Sequence, residues 1–357
     1  MKVDRRTPIK DQDGFAIETE VINDSSDAIA MHPLFELCGL PIKEVSILGC
    51  TGITNASLLA LSSFSSLVSL TFNSVSKSMT TDKLCNALSA LRVLEHATIG
   101  LRDAFWLNGP RIIESLELPK LCTLNLQQFA HAAGDGIDDA LESLAETCAG
   151  TLTDVTLWDA KISQPSRAIS ALRHCALTNL HWGVIAFPSA LKLASTHFGS
   201  LKNLTLACFY PGLVRVVAEV CPNLISFETL VCHQWTSPVT DEEVLAICGV
   251  IDGVVGCPLL ETLVLGDDAF LWGDEIGFRN ANLTARCIEP IARGKLPRLK
   301  MLNMVGCTCV TKLSWDALKA ARPQLKLYSP GTNLAQHFPD GDEIDEPVGA
   351  DPAWLAF

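Results

Sequence analysis

Metal, thiol or proton chemistry in this chain would have to start from its 14 cysteines and 8 histidines. Cys307-x-Cys309 is the tightest cysteine pair, yet tetrahedral zinc takes about four ligands and favours wider Cys-x2–4-Cys spacing. Cys307 also falls on a recurrent apolar position, which reads as a core thiol. Cys232-His233 lacks a companion Cys-x-x-Cys pair. His96 and His181 stand at outward strand positions, and histidine is the side-chain type suited to pH sensing; a lone surface histidine is not by itself a sensor. Asp135, Asp138 and Asp139 follow Gly134 without the ligand spacing of an EF-hand. They suit the positive N-terminal end of a following helix instead. The Gly-x-x-x-x-Gly-Lys, His-Glu-x-x-His and Gly-x-Ser-x-Gly patterns are absent. The expectation is a protein that is not an enzyme and uses no catalytic residue, metal or cofactor.

Side chains suited to holding another protein are easier to find. Aromatics are favoured interface anchors, and binding residues concentrate on loops carried by rigid scaffolds. Arg102-Asp103-Ala104-Phe105-Trp106, His233-Gln234-Trp235 and Asp267-Asp268-Ala269-Phe270-Leu271-Trp272 lie in the long loops of the third, eighth and ninth units of a repeat. The first and last share an Asp-Ala-Phe core with a tryptophan at or near its end. Phe105, Trp106, Trp235, Phe270 and Trp272 are therefore candidate partner-binding residues; the alternative is that they tuck back to cover the repeat edge. Asp154, Trp158, His181 and Glu228 join them from the strands.

The elements that carry these residues follow from one recurring pattern: an apolar residue, a second at plus three, a third at plus five. It reads Ile42-Val45-Ile47, Leu67-Leu70-Phe72, Leu94-Ala97-Ile99, Leu121-Leu124-Leu126 and Leu152-Val155-Leu157. It continues as Leu177-Leu180-Trp182, Leu201-Leu204-Leu206, Leu224-Phe227-Thr229, Leu260-Leu263-Leu265 and Leu299-Leu302-Met304, with a closing fragment at Leu325 and Tyr328. In a strand, positions plus three and plus five share a face, here the core. Between strands run helical stripes such as Leu84-Leu88-Leu91, Leu141-Leu144-Cys148 and Leu213-Val217-Cys221. Thr81-Asp82 and Thr240 with Glu243 look like helix starts. Strand, turn, helix and turn repeated in one direction give a parallel sheet with helices outside. Helices are wider than strands, so the stack bends with the sheet concave. One unit cannot bury its own apolar face, so stability comes from neighbours. Positions plus two and plus four then form outward columns, Glu44 to Met301 and Ser46 to Asn303, mostly small and polar.

Val45-Ser46-Ile47-Leu48-Gly49-Cys50, Leu302-Asn303-Met304-Val305-Gly306-Cys307 and the Cys-Pro-x-Leu starts at Cys221 and Cys257 resemble the cysteine-containing subtype of leucine-rich repeat. Trp158, Trp182 and Ala207 depart from that consensus. The resemblance covers residues 41–328 and implies an α/β leucine-rich-repeat solenoid, a right-handed βα horseshoe of about 10–11 repeats with a concave parallel sheet and convex helices. The subtype is typical of F-box leucine-rich-repeat proteins, substrate receptors of cullin-type ubiquitin ligases. An F-box would precede the repeats, but residues 1–40 are largely polar, and Leu40-Pro41 belongs to the first repeat. The expected organisation is a polar N-terminal arm and cap (1–40), the solenoid (41–330) and an acidic C-terminal tail (331–357).

The net charge of −13 argues against nucleic acid and an anionic membrane as partners, because phosphate binding needs clustered Lys and Arg. The opening residues lack an apolar signal segment, so the thiols read as reduced and the address as cytoplasmic or nuclear. The function expected is a non-catalytic scaffold for a protein partner of unknown identity. The alternatives are a substrate-recognition subunit bound to a ubiquitin-ligase adaptor, and a small-molecule-gated receptor. Asp340, Asp342, Glu343, Asp345, Glu346 and Asp351 make the tail acidic; it reads as a solubilising extension, or as a segment docking Trp354 and Phe357 across the solenoid.

Overall fold

The computed structural model describes short strands at residues 9–10, 16–17 and 19–23 and the span 40–328. Within that span it leaves aside 51–52, 74–75, 103, 130–131, 135, 159–161, 163–166, 168–169, 184–197, 208–211, 231–238, 266–281 and 308. β1 (Ile9–Lys10) and β2 (Ala16–Ile17) form a separate antiparallel pair. All other strands belong to one sheet of 12 strands, ordered by sequence from β3 (Thr19–Asn23) to the last. They are β4 (Glu44–Leu48), β5 (Ser69–Asn73), β6 (His96–Gly100), β7 (Thr123–Gln127), β8 (Asp154–Trp158) and β9 (Asn179–Gly183). β10 (Asn203–Ala207), β11 (Ser226–Leu230), β12 (Thr262–Val264), β13 (Met301–Asn303) and β14 (Lys326–Tyr328) follow. Every neighbouring pair in this sheet is parallel.

The apolar triplets explain the sheet. From Ile42 to Met304 no anchor is more than 4% exposed, and Leu124, Leu204 and Leu263 stack in one continuous row through the paired strands. Thr229 fills one anchor site with a hydroxyl, which donates to the Val264 carbonyl at 3.2 Å, so burial leaves no polar atom unmet there. Where the sequence shows no repeat, Thr19–Asn23 pairs with β4 and extends the sheet by a strand.

Eight α-helices are described on the outer side: α1 (Asn55–Leu61), α2 (Thr81–Ala90), α3 (Gly109–Glu114), α4 (Asp138–Thr147), α5 (Leu213–Val220), α6 (Asp241–Ile247), α7 (Ala285–Ala292) and α8 (Lys312–Ala321). Leu84, Leu88, Leu141, Leu144, Leu213 and Val217 are buried, as their spacing predicts. The start of α2 differs from the sequence expectation: Thr80 is the N-cap, and Thr81 is the first helical residue. Thr81 serves the neighbouring repeat instead, its hydroxyl accepting from the Asn108 backbone N–H at 3.0 Å. Asn55 and Asp241, also first in their helices, accept from Thr80 at 3.0 Å and Thr284 at 2.8 Å, the N-caps of the next described helices. Each helix start thereby satisfies an orphan donor of its neighbour. Glu243 works in the other direction: its buried carboxylate accepts from Thr240 and from Gly212, the N-cap of α5, both at 2.9 Å. Burial raises its pKa, against the pull of these donors.

Candidate functional site

The face opposite the helices is built from strand positions that alternate with the anchors. Pairing aligns Glu44, Ser69, His96, Thr123, Asp154, Asn179, Asn203, Ser226, Thr262 and Met301 in one column. Ser46, Thr71, Thr98, Asn125, Thr156, His181, Thr205, Glu228, Val264 and Asn303 form the next. These are the two columns expected from the sequence.

Polar and aromatic side chains converge on β8 to β10. Asn179 donates to Asp154 and Asn203 donates to Asn179, a ladder across three strands. Thr153 Oγ1 donates to the other Asp154 oxygen at 2.5 Å. Two outward positions further along β8, Trp158 leans over β9: its ring lies 5.2 Å from the His181 ring at 57°. Gly183 allows this approach, because a Cβ there would stand 2.7 Å from Trp158 Cε3. The sequence holds the signal, a glycine beside a tryptophan in the plus-six column, but it shows only when the repeats are aligned. Asn179, Asn203 and Gly183 are thus parts of this floor that the candidate set did not include.

Two polar atoms on the floor are buried without a hydrogen-bond partner among the described residues, Asn125 Oδ1 and His181 Nε2. Burial pushes the His181 pKa below its ordinary value, because a charged imidazole would lose its hydration. Glu228 stands two strands from His181 in the same column, so roughly 10 Å away at the usual strand spacing. His96 lies toward the other end of the sheet, its Nδ1 sharing a hydrogen bond with Thr123 Oγ1 at 3.0 Å.

Phe105 and Trp106 lie past the end of β6, between buried Ala104 and Leu107, and are 62% and 37% exposed. Their loop is held by backbone bonds from Ala104 to Leu101 at 3.2 Å and from Leu107 to Ala104 at 3.0 Å. Trp235, Phe270 and Trp272 lie outside the described residues, as do Cys232 and His233.

The thiols are core groups. Eight of the 11 described cysteines are buried, and none of the 11 is in a disulfide. Cys148, Cys175 and Cys257 donate to the carbonyls of Leu118, Ala145 and Cys221 in the preceding repeat. Burial pushes Cys175 up to about 11 and Cys307 up to about 12, which keeps them protonated and unreactive. Cys309 is exposed, so the Cys307-x-Cys309 pair is split between core and surface.

An open parallel sheet whose strands alternate with helices on one side, with apolar anchors aligned across it, is the leucine-rich-repeat solenoid fold. Three solved structures are similar to it. The first is the Rad7 and Elc1 complex in yeast, with 17% identity, TM-score 0.47, and coverage of 80% of this chain and 74% of that one. The second is an internalin from Listeria monocytogenes, with 11% identity, TM-score 0.44, and coverage of 85% and 84%. The third is a Bacteroides fragilis protein, with 13% identity, TM-score 0.39, and coverage of 80% and 73%. No family model matches the sequence, and neither does any curated protein. No described helix is long and apolar enough to cross a membrane.

Proposed function

We propose that this chain is a non-catalytic scaffold that holds a protein partner against the concave face and the loop beyond β6. The observation that carries this is an aligned polar floor with Asp154, Trp158, His181 and Glu228 on it, together with exposed Phe105 and Trp106 in the loop beyond β6. Aromatic anchors beside hydrogen-bonding groups are what interfaces use for energy and register. Trp235, Phe270 and Trp272 belong to the same proposal through the equivalent loops of later repeats. The test is affinity purification from the native cell with a Phe105→Ala/Trp106→Ala variant. Loss of the partners recovered with the wild type, at a melting temperature within about 2 °C of it, supports the reading. Undiminished recovery contradicts it.

A second reading is a substrate receptor of a cullin-type ubiquitin ligase. It is favoured by buried Cys221 and Cys257, which place the Cys-Pro-x-Leu starts in the repeat core as the cysteine-containing subtype requires. Co-purification of a ligase adaptor and a cullin supports it; their absence from an otherwise productive purification contradicts it.

A further inference from the structure

Charge along the solenoid is uneven. Residues 285–328 carry nine Lys and Arg against Glu289 and Asp316, a net of 9 − 2 = +7. Residues 329–357 carry six acids and no Lys or Arg, −6, so residues 1–284 hold −13 − 7 + 6 = −14. A basic final pair of repeats therefore separates two acidic regions.

Some of these cations are spent internally. Arg286 pairs with Glu242, Arg293 with Glu289 and Lys300 with Glu261. Arg322 is buried and donates to the carbonyls of Ile291, Leu296 and Leu299 at 3.2–3.3 Å. Lys295, Arg298, Lys312, Lys319 and Lys326 are exposed and have no ion pair among the described residues.

Four of these five gather at one end of the terminal repeats. Lys295 and Arg298 sit in the turn between α7 and β13. Lys326 begins β14, its N–H bonded to the Lys300 carbonyl at 2.8 Å. Lys319 occupies the last turn of α8, and Arg322 just beyond it ties that helix end to the turn at Leu296 and Leu299. Lys319 adds a basic residue at a helix C-terminus, a feature shared only by α3 among the described helices whose last turn is characterised. A basic last turn is therefore not a general feature of the described helices.

We propose that these cations dock the chain's own acidic segment, Asp340 to Glu346, against the terminal repeat beside β14, the last strand of the sheet among the described residues. The chain leaves the sheet at Tyr328, and Asp340 follows 12 residues later. That length reaches at most about 40 Å and averages about 20 Å as a coil, ample for a repeat whose last helix is about 15 Å long. Tethering supplies roughly millimolar effective concentration, so even weak exposed ion pairs are populated. The chemistry is complementary, acid against base, and the location answers a need: solenoid ends and free sheet edges require shielding.

Zero-length carbodiimide coupling of the full chain, read by mass spectrometry, tests this. The expected result is amide links within one chain from Asp340, Asp342, Glu343, Asp345 or Glu346 to Lys295, Lys319 or Lys326, lost in about 1 M salt, where screening acts within about 3 Å. Links from these acids to Lys43, Lys77 or Lys83 at equal frequency, links between two chains only, or no links overturn the proposal. A second variant leaves the repeats untouched: Asp340→Asn, Asp342→Asn, Glu343→Gln, Asp345→Asn and Glu346→Gln together. Chymotryptic cleavage after Trp354 should accelerate about tenfold, the factor that a few exposed ion pairs sum to. An unchanged rate overturns the docking.

Discussion

The two faces of the solenoid treat polar groups differently. On the helix side, Asn55, Thr81 and Asp241 each accept from the backbone of the next helix start, and Glu243 from the previous one. On the strand side, Asn125 Oδ1 and His181 Nε2 are buried without a partner among the described residues. Hydrogen bonds join repeats on both faces, since the floor has its Asp154–Asn179–Asn203 ladder, and the helix layer has an orphan of its own among the described residues in Trp315 Nε1. The two faces differ in where the unmet atoms stand: Asn125 Oδ1 and His181 Nε2 belong to outward strand columns, where a bound partner can satisfy them.

Mutations can break that contrast. The shared core comes first: Leu124→Ala should cost about 2–5 kcal/mol in denaturant unfolding, wherever binding occurs. Arg322→Leu should cost about 1–3 kcal/mol, because it strands the carbonyls of Ile291, Leu296 and Leu299. Asp241→Ala should cost about 1 kcal/mol through the lost cap on Thr284. Asn125→Leu should leave stability within about 0.5 kcal/mol of the wild type, or raise it, since an orphaned polar atom is exchanged for an apolar one. A loss as large as that of Asp241→Ala would erase the distinction between the faces.

The smallest effect is a pH dependence. His181 has a lowered pKa in the folded chain through burial, while the unfolded chain titrates near the ordinary value of about 6.5. Unfolded chains then take up the proton first as pH falls below about 6.5, so the folded state loses stability toward acid and keeps it above neutrality. His181→Asn should flatten that part of the stability profile; an unchanged slope would assign it elsewhere.

The fold was legible because strand alternation is short-range: anchors at plus three and plus five need no partner to declare their side. The outward columns followed from the same arithmetic. What stayed hidden depends on pairs some 25 to 43 residues apart, such as Thr80 with Asn55 and Thr284 with Asp241. No local pattern distinguishes Thr80 from Thr81 as the cap when the second has a use in the next repeat. The Trp158–Gly183 contact was half legible, since both residues occupy one column but the direction of the ring does not follow from spacing. The basic terminal repeats were masked by the overall negative charge, and appear when charge is summed repeat by repeat.

Hydroxyl-radical footprinting of the chain with and without its purified partner separates a concave binding surface from a convex one. Phe105, Trp106, Trp158 and His181 are expected to be oxidised less in the complex, while Leu59 and Leu313, 67% and 82% exposed on the helices, are unaffected. Protection of Leu59 and Leu313 with no change at the other four residues would contradict concave binding.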